Sequence, residues 1–222
     1  MEFIVAVDGP AGSGKGTITK IVGEKENLIY IDTGALYRCV TLNMIRNNVG
    51  LEEIEKIKEI LKNIKIEFKR EIDQKLVYLN GEDVSKEIRE NAVNKLVSQV
   101  SHIVEVRNSI TNLSRKIAEG KQVIMEGRDI GTNVFPNADV KIYLDASPEE
   151  RAKRRQKQNE EKGINIPFEE IVENIKFRDN NDKTSPVAPL KQAEDAIYID
   201  SSDMTIEEVA KKVIEIINKK RK

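Results

Sequence analysis

Short apolar runs alternate with longer amphipathic stretches along most of the chain. Phe3–Val7, Leu28–Ile31, Val123–Met125, Val140–Leu144 and Ala196–Ile199 are brief, rich in branched residues and lack a polar face. Strands buried on both faces of a parallel sheet show that pattern. Between them the apolar positions recur at helical spacing, as in Ile18, Ile21 and Val22 after the first run. Helix starts are also marked. Ser147-Pro148-Glu149-Glu150 offers an N-cap, a proline at the first helical position and a capping-box glutamate, and Thr205 with Glu208 offers a second box. The alternation predicts an α/β fold with a central parallel sheet flanked by helices.

One stretch breaks this rhythm. Ile64, Ile66 and Phe68 alternate with Lys65 and Glu67, Lys75–Leu79 forms a second run, and Asn80-Gly81 is a hairpin turn before Glu82–Val84. Residues 64–85 are therefore expected to form a small antiparallel insert in a single domain, whose core spans 1–63 and 86–222. A short helical lid is expected over about 148–165. There is no internal repeat, and the basic tail Lys219–Lys222 reads as a helix end rather than a binding arm.

Composition narrows the function more than the fold. The chain has 222 residues, 39% apolar and 34% charged, with 37 Lys+Arg against 38 Asp+Glu. A chain of this length buries enough surface for one substantial core. The net charge of -1 argues against a general nucleic-acid coat. The longest uninterrupted apolar run, Phe3–Val7, falls far short of the ~20 residues that span a bilayer, and no basic segment precedes it. A cytoplasmic protein without membrane or nucleic-acid partners is expected, as a monomer. Cys39 and His102 are the sole cysteine and histidine, which removes internal disulfides and cysteine zinc sites. Cys39 is expected to be a buried apolar residue and His102 a structural one. The chemistry then falls to glycine, lysine, arginine and carboxylates.

The first strand runs into Gly9-Pro10-Ala11-Gly12-Ser13-Gly14-Lys15-Gly16-Thr17, which meets the Gly-x4-Gly-Lys pattern of a phosphate-binding loop between strand and helix. Its glycines let successive N–H groups converge on an anion at a helix N-terminus, and Lys15 adds a point charge for the β- and γ-phosphates. A glycine-rich turn with an incidental lysine is the bland alternative. Gly16 stands where many such loops carry Ser or Thr, and the hydroxyl comes one place later at Thr17. The Gly-Lys-Gly-Thr form is similar to nucleoside monophosphate kinases. Neither an Asp-x-x-Gly switch element nor an Asn-Lys-x-Asp guanine motif is present, which disfavours a GTPase switch.

The third buried run continues into Glu126-Gly127-Arg128-Asp129-Ile130-Gly131-Thr132, at the carboxyl end of a parallel strand, where open α/β sheets bind ligands. Arg128 is placed to clamp an acceptor phosphate bidentately and Asp129 to accept from a base amine; an ordinary Arg-Asp surface pair is the alternative. Arg151, Arg154 and Arg155 share one helix face by their spacing. A helical lid bringing positive charge to a transferring phosphoryl group uses that arrangement, though a solvated helix or a basic patch would also contain it. Arg178 and Asp182 lie one helical turn apart and can pair with each other. Thr33 reads as the cap of the helix after the second strand, with Tyr37 and Arg38 on its first turns.

Taken together, Val7-Asp8-Gly9-Pro10 through Thr17, Asp32-Thr33-Gly34-Ala35-Leu36-Tyr37-Arg38, Gly127 to Thr132 with Phe135-Pro136, and Arg178-Asp179 through Ala188-Pro189-Leu190 resemble bacterial-type cytidylate kinases. The stretches follow the family's order over nearly the whole chain, and the 64–85 segment matches its insertion. The resemblance implies phosphorylation of CMP and dCMP by ATP with Mg2+. It places Arg38, Arg128 and Arg178 at the acceptor phosphate; Thr33, Ser98, Arg107 and Asp129 around the cytosine; Tyr37 and Asp182 near the sugar; and Arg151, Arg154 and Arg155 in the lid over ATP. Thr17 and Glu126 are expected to reach the metal through water. Two positions depart from the family: Glu126 stands where many relatives have Asp, and Ser185 where an arginine is common. Kinases of another small acceptor, such as UMP or a non-nucleotide, remain the alternative.

Overall fold

The structure, a computed structural model, describes residues 2–71, 74–161 and 163–221. Residues 72 and 73 of the expected insert, 162 of the expected lid and 222 of the basic tail lie outside the described residues. The elements follow one another as β1 (Phe3–Asp8), α1 (Lys15–Lys25), β2 (Ile29–Asp32), α2 (Thr33–Arg46), α3 (Ile54–Asn63), β3 (Ile66–Glu71), β4 (Gln74–Leu79) and β5 (Glu82–Asp83). Then come α4 (Asn91–Val100), α5 (Val104–Ala118), β6 (Gln122–Gly127), β7 (Val140–Asp145), α6 (Pro148–Glu160), α7 (Phe168–Thr184), β8 (Ile197–Asp200) and α8 (Ile206–Lys220).

They form two compact units, one of Met1–Ile31 with Ala118–Lys222 and one of Asp32–Ile117. In the first, five strands form a sheet of order β2-β6-β1-β7-β8. Parallel pairings join β1 to β6 and to β7, and β7 to β8. Val5, Val7, Ile124, Ile142, Leu144 and Ile199 pack from the sheet against Ile18 and Val22 of α1 and Val209, Val213 and Ile217 of α8. The central strands are apolar on both faces because both are covered. Ala152 of α6 packs with Ile171 and Ile175 of α7 in a separate small cluster.

The second unit has its own core, with Leu36, Cys39 and Val40 of α2, Ile57 of α3, Leu79 of β4, Val93 of α4 and Ile110 of α5. Its sheet is antiparallel, order β3-β4-β5, with Ile66 opposite Leu79. Asn80 and Gly81 both take positive φ at the β4–β5 turn, as the Asn-Gly signal requires. Cys39 is fully buried, and burial raises its thiol pKa to about 12.

The capping signals hold in part. Thr205 and Glu208 form a reciprocal capping box, and Ser147 Oγ accepts the Glu150 N–H at 3.2 Å with Pro148 opening α6. At α2 the cap is Asp32 rather than Thr33. The Asp32 carboxylate accepts the Ala35 N–H at 3.1 Å from an extended backbone, and Thr33 is already helical and buried. An ionised oxygen at the helix N-terminus is the stronger acceptor.

Candidate active site

Residues Gly9–Gly14 connect β1 to α1 in the first unit. Gly9 has φ of 150°, and a Cβ there would lie 2.0 Å from the Leu144 carbonyl oxygen, so the turn admits only glycine. Lys15 opens α1 and is buried, its Nζ donating to the Pro10 carbonyl at 2.7 Å. Desolvation, and after it repulsion from Arg128, lowers its pKa to about 7, against partial support from Glu126, Asp8 and Asp182. Ser13 is buried and Thr17 exposed in the first turn of α1. A Cβ on Gly16 would meet Glu126 Oε1 at 3.0 Å and the Tyr30 hydroxyl at 3.6 Å, so Glu126 packs closely on the loop at the position where related loops have Ser or Thr. Tyr30 donates its hydroxyl to Glu126 Oε1 at 2.5 Å.

The register of β1 on β6 sets Asp8 opposite Gly127, so the phosphate loop and the Arg128 loop leave neighbouring strands side by side. Asp8 accepts the N–H groups of Ile130 at 2.8 Å and Gly131 at 2.7 Å. Burial raises its pKa to about 6 although both bonds favour the charged form. Asp129 is buried and accepts from Asn133 Nδ2 at 2.9 Å. Arg128 Nε donates to Asp182 Oδ2 at 2.8 Å. The Asp182 carboxylate, expected as a partner for Arg178 on its own helix, thus grips Arg128 from α7. Arg178 keeps an open surface, yet its pKa is lowered, first by desolvation and then by the positive charges of Arg128 and Arg155.

The three arginines of α6 do not act alike. Arg151, expected on a charged lid face, is only 2% exposed. Its Nε donates to the Ala146 carbonyl at 2.8 Å and its Nη1 to the Ala11 carbonyl at 3.1 Å, while Asp179 takes both Nη1 at 2.9 Å and Nη2 at 2.5 Å. A guanidinium with four acceptors in a buried place is fixed, which corrects the picture of three mobile cations. Arg154 is half-buried, donating to the Ser201 carbonyl at 2.6 Å and the Ser13 carbonyl at 3.3 Å. Arg155 is exposed. Ser185, at the arginine-bearing position of relatives, is buried and donates its hydroxyl to the Val187 carbonyl at 2.8 Å.

The second unit gathers a different set. Arg38 on α2 donates to Asn94 Oδ1 at 2.6 Å and the Ile88 carbonyl at 3.3 Å. Arg107 on α5 is buried, donates to the Ser101 carbonyl at 3.2 Å, and places its guanidinium 5.7 Å from the Tyr37 ring centroid. The Ser98 carbonyl accepts the Ser101 hydroxyl at 2.7 Å, so Ser101 bonds both the Ser98 backbone and the Arg107 side chain. Thr33 lies buried one turn before Tyr37. Sequence reading passed over Asn94, Asp179, Tyr30 and Ser201. Asp179 was within reach, since its i, i+3 spacing to Asp182 puts both carboxylates on one face of α7. The others become visible only through tertiary contacts.

A parallel sheet, a glycine loop closed on a buried helix-start lysine, and arginines at the ends of adjacent elements define a P-loop kinase fold. A shikimate kinase from Bacteroides thetaiotaomicron shares that fold, with a TM-score of 0.50 at 12% identity over 98% of this chain and 99% of that one. The chain belongs to the cytidylate kinase family, whose model matches residues 5–219. It is 48% identical to the cytidylate kinase of Caldicellulosiruptor saccharolyticus over 97% of this chain and 95% of that protein. Against the cytidylate kinase of Fusobacterium nucleatum it is 48% identical over 99% and 97%, and against that of Bacillus subtilis 44% over 99% and 98%. Among the described residues no helix is long and apolar enough to cross a membrane.

Proposed function

We propose that this chain transfers the γ-phosphoryl group of ATP to CMP and dCMP, giving ADP and the corresponding diphosphate. The observation that carries this reading is the Asp8–Gly127 register, which sets two phosphate-binding loops at the ends of adjacent strands, about 4.8 Å apart. One serves the donor through Lys15 and the Gly9–Thr17 loop. The other serves the acceptor through Arg128 and Arg178, with Asp129 for the base and Asp182 for the sugar. Thr33, Tyr37, Arg38, Ser98 and Arg107 of the 32–117 unit are assigned to CMP from the family's pattern. The enzyme works as a cytoplasmic monomer.

The acceptor phosphate oxygen attacks the γ-phosphorus as the bond to the β-bridging oxygen breaks, and ADP leaves with that electron pair. The nucleophile is already an anion, so no general base is required. Rate then comes from alignment and from positive charge on the equatorial oxygens, supplied by Lys15, Arg128, Arg178 and the exposed Arg155. Arg151 and Arg154 support this by holding the carbonyls of Ala11 and Ser13, which restrains the peptides that carry the Gly12 and Gly14 N–H groups. Hydrogen bonds to the cytosine edge select it, because a buried polar group left unpaired costs ~1–3 kcal/mol.

Mg2+ characteristically binds such phosphates with few protein ligands. The residues present fit it: Glu126 lies against Gly16 at the loop, and the Thr17 hydroxyl is exposed beside it. Glu126 and Thr17 would hold the metal through water, and it would supply charge neutralisation to the transferring phosphate.

A coupled assay of ADP release with CMP, dCMP, UMP, AMP and shikimate tests the reading. Turnover stimulated by CMP and dCMP above the rest is expected; stimulation by shikimate or AMP alone would overturn it. UMP is the competitor of interest, because Ser185 lacks the arginine common in relatives.

A further inference from the structure

The Asp179 carboxylate belongs to no substrate contact described above, yet it is buried and holds the most enclosed arginine of the first unit. We infer that Asp179 is a positioning residue, which fixes Arg151 beneath the phosphate loop and so sets the affinity for the donor nucleotide. The inference rests on the kinase reading for the identity of that nucleotide.

The geometry is a relay of charge and hydrogen bonds. Asp179 meets Arg151 with both oxygens, Oδ1 to Nη1 at 2.9 Å and Oδ2 to Nη2 at 2.5 Å. That bidentate fork uses Nη2 and part of Nη1 and holds the guanidinium plane in one orientation. In that orientation Nη1 reaches the Ala11 carbonyl at 3.1 Å and Nε the Ala146 carbonyl at 2.8 Å. The Ala11 carbonyl lies inside the loop that must turn its N–H groups toward phosphate. A donor fixed on the outward carbonyl keeps that peptide from flipping.

The charge is balanced as well as the geometry. Arg151 is 2% exposed and Asp179 is 9% exposed, so each charge depends mainly on the other. Lys183, Asp145, Asp200 and the hydroxyls of Tyr143 and Tyr198 share with them the lining of a cavity of about 220 Å3 beside Pro10. Without Asp179, Arg151 keeps its charge and has room on that side to leave the Ala11 carbonyl. One turn further along α7, Asp182 holds Arg128 by a single bond to Nε at 2.8 Å. A single helical face thus grips one arginine behind the donor loop and one on the acceptor loop. Asp179 is assigned the donor side.

The test is calorimetric binding of ATP without acceptor, together with initial rates, for the full chain and for Asp179→Asn, Arg151→Lys and the double variant, each checked for folding by circular dichroism. The expected result is a roughly tenfold loss of ATP affinity and a matching rise in KM for ATP in Asp179→Asn, with KM for CMP changed less than twofold. The double variant should bind ATP no more weakly than Arg151→Lys alone, because both substitutions remove one interaction. A lower melting temperature with unchanged ATP affinity would overturn the inference, as would fully additive losses in the double variant. Should Asp179→Asn not fold, Asp179→Glu keeps the charge but displaces the carboxylate by a methylene. Unchanged ATP affinity in that variant would also overturn the inference. Absence of CMP turnover in the unmodified chain would sink the kinase reading alone, since the binding arm needs no acceptor.

Discussion

Asp8, the last residue of β1, receives the backbone N–H of Gly131 on its Oδ2 at 2.7 Å, which ties the loop after β6 to the strand that leads into the phosphate loop. The neighbouring N–H of Ile130 goes to the other oxygen, so one carboxylate sets the position of the whole Arg128 turn. The charge that makes this anchor strong is costly to bury.

The pH dependence of stability follows from that cost. The folded pKa of Asp8, about 6, lies above the ordinary 3.8, so the folded state binds the proton more tightly than the unfolded chain does. Stability attributable to Asp8 is therefore full below pH 4 and declines as pH rises toward 6, by about 3 kcal/mol. Urea unfolding from pH 4 to 7 should show this decline in the wild type relative to Asp8→Asn. Parallel profiles would contradict it.

Lys15 predicts a proton coupled to donor binding. With its pKa lowered to about 7 by burial and by Arg128, the ligand-free protein is largely uncharged at this position at pH 8. ATP phosphates restore the charge, so binding at pH 8 should take up close to one proton, falling toward none at pH 6. Calorimetry in buffers of different ionisation enthalpy measures the uptake. Lys15→Met should abolish it.

Arg128→Lys keeps the charge and loses the fork. The Nε–Asp182 bond at 2.8 Å orients the guanidinium toward the acceptor side, and an ammonium cannot meet both a carboxylate and a phosphate in that geometry. The expected loss in kcat/KM with CMP is about 100-fold, near 2.7 kcal/mol, with ATP affinity within twofold of wild type. An undiminished rate would remove Arg128 from the acceptor site.

Asn94 holds Arg38 at 2.6 Å while its own amide donates to the Arg89 carbonyl at 2.7 Å. Asn94→Ala should loosen Arg38, which keeps its bond to the Ile88 carbonyl, raising KM for CMP about five- to tenfold with KM for ATP unchanged, consistent with a lost hydrogen bond to a charged group. Steady-state kinetics with each substrate varied in turn separates the two effects.

The fold was largely legible because burial writes itself into apolar runs. All five strands appear where the runs stand, although the edge strands β2 and β8 are only partly buried, and β1, β2, β7 and β8 each extend to an aspartate that the runs do not include: Asp8, Asp32, Asp145 and Asp200. Periodicity fades at the sheet's carboxyl edge because polar residues there accept backbone N–H groups instead of packing. Asp32 shows the consequence, since the Thr33 hydroxyl looked like the cap and the carboxylate before it does the capping. The glycine loop and Lys15 were readable because their chemistry is local. The burial of Arg151 was not legible because its partners, Ala11 and Asp179, are remote in sequence. Spacing along one helix reports which side chains share a face but not what lies against it.

The register of the central strand also bears on how the chain is made. Phe3 pairs with Gln122, and Val5 with Val140 on the other side, so β1 finds neither neighbour until the chain has been made past the 32–117 segment. The 32–117 segment, with its own core and mostly local pairings, can collapse while Phe3–Val7 still waits with both edges open. High sequence separation in the pairings of the catalytic sheet thus predicts that its central strand stays unpaired while the 32–117 segment folds, and that closing this sheet is the slow step.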